Sequence, residues 1–314
     1  MPPRDGGVSG PTPAAPTDVD ELNRVFSDAF TERYHRDGMR SVRVPLLNPA
    51  VWRYAFAVAG DGAMIWRDGA GAIAAFNMVH LSGAEGWMGP LAVRTDLQGR
   101  GLGRRIVMAG IEHLRRQGAQ VIGLETMPRT VENIGFYSGL GFRPGHLTIS
   151  MGREVLARDA LTPAAALDPA TINACRALTA KVRPGADYSR EIALTRRLDL
   201  GDLTVVEARG ELAAFALWHR VPLAPTRTPD DLRILKLVAV DLGAFGRLLD
   251  ALAGVAKRLR LERVSIRCET RATDAYAELL AAGFKVHWTD LRMSLEGHRE
   301  PAIAGGVAFS NWEI

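Results

Sequence analysis

Seven residues, Gln98-Gly99-Arg100-Gly101-Leu102-Gly103-Arg104, stand between an apolar stretch and an amphipathic one, and they have the makings of an anion site. Glycines at 99, 101 and 103 let the backbone approach a ligand and turn successive N–H groups toward one point. A helix starting there adds its partial positive charge, and Arg100, Arg104 and Arg105 can add charge-assisted contacts to phosphate oxygens. The bend lacks GxxxxGK[ST], which argues against nucleotide hydrolysis. A dinucleotide fold would need an earlier parallel strand and an acid some twenty positions on, and neither fits. Glu125 interrupts an otherwise apolar strand, where it could serve as a base or pair with an arginine. Tyr137 lies twelve residues further on. There is no HExxH, GxSxG or CxxC, and no histidine pair has ligand spacing, so no metal is expected.

The surrounding pattern says which elements hold these groups. Thr17 begins a helix carrying Leu22, Val25, Phe26 and Phe30 at helical spacing. Residues 63–67, 73–81 and 87–93 read as an antiparallel meander split by glycine turns. Leu102, Ile106, Gly110 and Leu114 mark a helix, 121–126 a strand, 131–139 a second helix and 147–151 a last strand. The order meander, then β-α-β-α-β, predicts an α/β (α+β) fold with a mixed, mostly antiparallel sheet flanked by helices. Trp52, Trp66, Trp87, Trp218 and Trp288 are expected in the core.

With the glycine bend, the meander before it and the closing run Asn133-Ile134-Gly135-Phe136-Tyr137-Ser138-Gly139-Leu140-Gly141-Phe142, residues 17 to 151 resemble the GCN5-related N-acetyltransferase (GNAT) superfamily. Gln98 to Gly103 matches its acetyl-CoA signature without a gap. The resemblance implies that Leu91, Ala92 and Val93 pair with the pantetheine arm of acetyl-CoA, just past a splay at Gly89-Pro90. It implies that the bend from Gln98 through Gly99, Arg100, Gly101, Leu102, Gly103 and Arg104 holds the diphosphate. Tyr137 would protonate the leaving thiolate. Glu125 would be the general base, its pKa raised by burial. The family often has Asn seven residues before that Tyr. Thr130 stands there instead, and Asn133 follows one turn on, so this cofactor contact lies open between them. Tyr34 and His35 fall where the family often builds its acceptor site.

The second half repeats the element order. Strands over 203–208, 212–219 and 232–240 lead to a helix over 244–259, a strand over 264–268, a helix ending at Ala282-Gly283-Phe284 and a strand over 286–295. Val238-Ala239-Val240 matches Leu91-Ala92-Val93, and Gly283-Phe284 matches Gly141-Phe142. Two tandem GNAT folds are therefore expected: a disordered tail over 1–16, a first domain over 17–152, a linker over 153–170 with turns at Thr162-Pro163-Ala164 and Asp168-Pro169, and a degenerate second domain over 171–314. In that copy the bend has shrunk to Asp241-Leu242-Gly243-Ala244-Phe245-Gly246, and Leu279 replaces the tyrosine. An acid at the bend repels phosphate, so the second copy is not expected to bind acetyl-CoA.

Length and composition agree. The 314 residues, 47% hydrophobic and 24% charged, suit two globular domains. A net charge of +4 spread along the chain argues against nucleic acid as partner. Cys175 and Cys268 stand too far apart for a redox or zinc pair. No apolar run spans a membrane and no signal peptide opens the chain, which predicts a cytoplasmic protein. The predicted partner is a small-molecule or peptide amine acceptor, and a homodimer is left open. The predicted activity is N-acetyl transfer from acetyl-CoA, the alternative being an acyl-CoA sensor without turnover.

Overall fold

The computed structural model describes residues 7–162 and 168–311. Among them, twelve strands share one sheet in the order β1-β2-β3-β4-β5-β11-β6-β10-β9-β8-β7, with β12 beside β9. The first half contributes β1 (Ser9–Pro13), α1 (Val19–Arg36), α2 (Pro49–Ala59), β2 (Ala63–Arg67), β3 (Ile73–Ser82) and β4 (Glu85–Val93). It continues with α3 (Leu102–Arg116), β5 (Val121–Thr126), α4 (Val131–Ser138) and β6 (Phe142–Glu154). The second half contributes α5 (Pro169–Val182), α6 (Ser189–Arg197), β7 (Gly201–Ala208), β8 (Glu211–His219), β9 (Asp231–Ala239), α7 (Leu242–Arg258), β10 (Arg263–Glu269), α8 (Thr273–Ala281), β11 (Lys285–Leu295) and β12 (Val307–Ser310).

The predicted meanders and crossover helices are present, with β3 and β4 antiparallel and β4 and β5 parallel. Apolar side chains alternate across the sheet. On one face Met88, Ile122 and Leu124 pack under Ile106, Ile111 and Leu114 of α3. On the other, Phe76 and Met78 pack under Leu22 and Phe26 of α1 and Trp52 of α2.

The two copies are not laid side by side. Their last strands are exchanged: β11 pairs with β5 of the first copy, while β6 pairs with β10 of the second. β6 and β11 pair antiparallel with each other at the centre. This joining follows from long-range register, which local periodicity does not encode.

Residues 9–13, expected within a loose tail, form an edge strand on β2. Arg105 holds this strand by donating to the carbonyls of Val8 and Gly10 at 2.8 and 3.0 Å. Its guanidinium is thereby turned away from the phosphate contact considered for it. Residues 1–6 and the 163–164 part of the expected turn lie outside the described residues.

Candidate functional site

The slot between β4 and β5 is the centre of the arrangement. Their parallel pairing runs from Glu85↔Val121 to Met88↔Leu124 and stops there. At Gly89-Pro90 the strand breaks. Gly89 has φ 143°, a proline cannot donate to a ladder, and the register against β3 shifts between Asn77 and Val79. Beyond the break β4 resumes pairing with β3, Leu91 opposite Asn77 and Val93 opposite Ala75. The other edge of Leu91, Ala92 and Val93 therefore faces the slot. His80, on β3, donates from Nε2 to the Gly89 carbonyl at 2.8 Å, and burial pushes its pKa down to about 4. Neutral at physiological pH, it holds the break in place. Sequence reasoning passed over His80; a histidine inside an apolar strand was the available signal.

At the end of β4 the chain makes the glycine bend. Gly99 and Gly101 have φ of 75° and 90°, where a side chain would be strained, and a Cβ at either would meet nothing within 4 Å. Gly101 caps α3 with no side-chain hydrogen bond to the first turn, so the amides there point outward unclaimed by a cap. Arg104 is exposed. Arg100 folds back to donate to the Asp96 carbonyl at 2.9 Å. Gln98 donates from Nε2 to the Val93 carbonyl at 3.0 Å, so it braces the bend against the strand it follows. Phe136 of α4 lies over Gly103, 3.5 Å from where its Cβ would be, and is 37% exposed. Leu102 anchors the start of α3 in the core.

Tyr137 sits on this same face of the sheet, in the cluster with Leu102, Leu124 and Phe142 against which Leu91 and Val93 also pack. Burial pushes its hydroxyl up to about 12, which keeps it protonated near neutral pH. Thr130 is fully buried and donates to Asp37 at the end of α1, so its hydroxyl ties α4 to α1. Asn133 is half-buried, with Nδ2 toward Thr126 at 3.4 Å, and stands nearer the strand end.

Glu125 projects from the opposite face. Burial works to raise its pKa, but the charges of Arg267 and Arg292 and a hydrogen bond from Thr148 outweigh it, and the net shift is downward. Arg292, in register with Glu125 on β11, donates at 2.7 Å, and Arg267 of β10 donates to the other oxygen. The expectation of a raised pKa is overturned, because both arginines come from the second half through the strand exchange. Trp288 is a second correction: it is 37% exposed and meets Tyr34 of α1 with ring centroids 6.1 Å apart. His35 is turned away, its Nε2 bonded to the Val42 carbonyl at 2.9 Å. Trp288, Asp290 and Arg292 alternate on one face of β11, and that alternation of large and charged residues was the signal for a strand reaching a functional surface.

In the second copy the matching positions are closed. Asp241 caps α7 by accepting from the Ala244 amide at 2.7 Å, so a carboxylate occupies the helix N-terminus. Leu279 is fully buried at the position of the tyrosine. The strand β12 pairs with β9 from Ala239↔Val307 to Lys236↔Ser310, the edge that matches Leu91–Val93, and Lys236 fixes it by donating to Ser310 and Asn311 at 2.8 and 3.0 Å. An extended chain thus fits this edge when the slot is open. No group of side chains suited to a metal ion occurs among the described residues.

Residues 19–142 match the family model described as Acetyltransferase (GNAT) family. A mycothiol acetyltransferase of Nocardia farcinica (strain IFM 10152) is 40% identical over 53 residues, which are 17% of this chain; the chain thus spans 18% of that relative's length. In fold, the chain is similar to a GCN5-related N-acetyltransferase from Sphaerobacter thermophilus (TM-score 0.63, 16% identity, 97% of this chain and 99% of that one). It is also similar to a tandem GNAT protein from the clavulanic acid biosynthesis pathway (TM-score 0.59, 13% identity, 94% and 100%).

Proposed function

We propose, on the premise that residues 19–142 belong to the acetyltransferase (GNAT) family, that the first copy transfers the acetyl group of acetyl-CoA to a primary amine of a small molecule or peptide. The observation that carries this reading is the β4 edge at Leu91–Val93, left without a β5 partner beyond Met88 and touched there by the Gln98 side chain, leading directly into a glycine bend with no side-chain cap. Strand edge and helix N-terminus together suit a ligand with amides at one end of its arm and a diphosphate at the other. Bound there, acetyl-CoA supplies an activated thioester. Leu91, Ala92 and Val93 pair with its arm, and the amides of Gly99 through Arg104 take the diphosphate, with Arg104 adding charge. Gln98 and His80 position these two segments.

Tyr137 and Glu125 lie on opposite faces of the sheet at the slot, which separates the roles of the two titratable groups. Tyr137, on the face with the bend, keeps its proton near neutral pH and donates it to the departing thiolate sulfur. Glu125, on the other face, stays ionised and balances the positive charge that the attacking nitrogen acquires. Its lowered pKa makes it a poor proton acceptor, so the amine enters neutral. As the C–N bond forms and the C–S bond breaks, the nitrogen sheds one proton to water, and Tyr137, having protonated the thiolate, regains its proton from water. Orientation of the two substrates across the slot supplies most of the acceleration.

The test uses two variants. Gly101→Glu places a side chain and a negative charge in the bend, and calorimetry should show acetyl-CoA binding abolished. Tyr137→Phe should bind acetyl-CoA normally and lose turnover by about 10²-fold, followed as thiol release with a panel of amines. Unchanged acetyl-CoA affinity in the first variant overturns the assignment of the bend.

A further inference from the structure

We infer that the acceptor is an extended primary amine bearing an aromatic ring at its far end, and that Trp288, delivered by the second copy, selects it. This rests on the acetyl-transfer reading above. Trp288 differs from the other described tryptophans: Trp52, Trp66 and Trp87 are at most 1% exposed and Trp218 4%, whereas Trp288 is 37% exposed. Its indole N–H donates to Asp290 at 3.2 Å, which fixes the ring. Tyr34 of α1 meets it edge-on, at an interplanar angle of 62°. One ring comes from each half of the chain, on the face of the slot that carries Glu125.

Register gives the distance. Arg292 stands opposite Glu125, and Leu291 stands opposite Thr126, the last residue of β5. Trp288 is four residues before Arg292, about 13 Å along a strand, and so beyond the end of β5. An amine reacting at the slot would have its opposite end on the order of 10 Å away when that end touches Trp288. The carboxylates nearby cannot set the choice by charge alone, because Glu125 and Asp290 are already held by Arg267. The pair of rings offers an aromatic surface on this face. Ring pairs at such distances favour an aromatic group over an aliphatic one of similar reach.

The experiment compares ω-phenylalkylamines with two to six methylenes against pentylamine, by thiol release from acetyl-CoA. The expected result is a kcat/KM for 5-phenylpentylamine about tenfold above that for pentylamine, falling in the two-methylene compound. Trp288→Ala and Tyr34→Ala should bring the ratio near unity through KM, while Trp288→Phe, which keeps a ring, should retain most of it. An unchanged ratio in Trp288→Ala overturns the inference with the transfer reading intact. If no amine releases thiol, that reading fails, and binding of 5-phenylpentylamine to the CoA-loaded chain decides the inference by calorimetry. Weaker binding in Trp288→Ala supports it, and equal binding overturns it.

Discussion

Glu125 shows how one residue's chemistry is decided by partners far away in sequence. Alone in an apolar strand it reads as a carboxylate with a raised pKa, the property of a general base. Arg267 and Arg292, more than a hundred positions away, reverse that shift. The reversal has a kinetic consequence. If Glu125 were the base, the acidic limb of kcat/KM against pH would follow the enzyme and be common to all acceptors. With Glu125 ionised throughout, the limb should instead follow each amine's own pKa, so two acceptors differing by two pKa units should give limbs displaced by about as much. A common limb would restore the base assignment. Glu125→Gln should lower kcat/KM about tenfold or more without moving the limb, and it should also cost stability, about 3–5 kcal/mol, by leaving two buried arginines short of a counter-charge. Activity must therefore be compared at a temperature where the variant is folded, checked by circular dichroism.

Among elements, much of the site was legible in the sequence, because it is built from local signals. The bend announces itself by glycines between a strand and a helix, the splay by Gly89-Pro90, and the degeneracy of the second copy by Asp241. What was not legible depends on which strand lies beside which. Nothing in Val307 to Ser310 says that these residues will lie along β9, and nothing in Trp288 says that β11 will leave its own copy. The partner of Thr130 was hidden for a similar reason, since Asp37 is brought in by packing of α1 on α4. The placement of β12 leads to a count. With that strand along β9 and a carboxylate on α7, the chain should bind one equivalent of acetyl-CoA, read directly as calorimetric stoichiometry; a second equivalent would contradict the closed second slot. Removing the chain from residue 307 onward should not create a new site. It should destabilise the protein by about 3–6 kcal/mol, the burial of Val307 and Phe309 at ~1.5–3 kcal/mol each, measured by urea unfolding.

At the scale of the whole molecule, the strand exchange and the buried charges act together. Arg183, at the end of α5 and 1% exposed, pairs with Glu85 of β4, with Glu269 of β10 and with Glu300. Arg292 of β11 reaches Glu125 in one half and Glu300 in the other, and its guanidinium lies 3.9 Å over the Trp87 ring. A network of this kind is costly to break from one side, because the remaining charges stay buried and unpaired. Arg183→Met should therefore lose about 3–5 kcal/mol. Since β5 is paired to β11 and β10 to β6, neither half can melt without stripping a neighbour from the other. A single cooperative transition is expected, with far-ultraviolet dichroism and tryptophan emission coinciding; two resolved transitions would mean that the halves are energetically separate. The pH dependence follows from Glu300. Burial alone would raise its pKa, but Arg292, Arg183 and Arg271 hold it down at about 2, against 4.5 for a free glutamate. The unfolded chain thus takes up this proton at higher pH than the folded one. The contribution is present in full above the free value and is lost as pH falls from about 5 toward 2. Melting temperature should drop across that window more steeply in the native sequence than in Glu300→Gln, which has no proton to take up. Equal slopes would remove Glu300 from the account of acid unfolding.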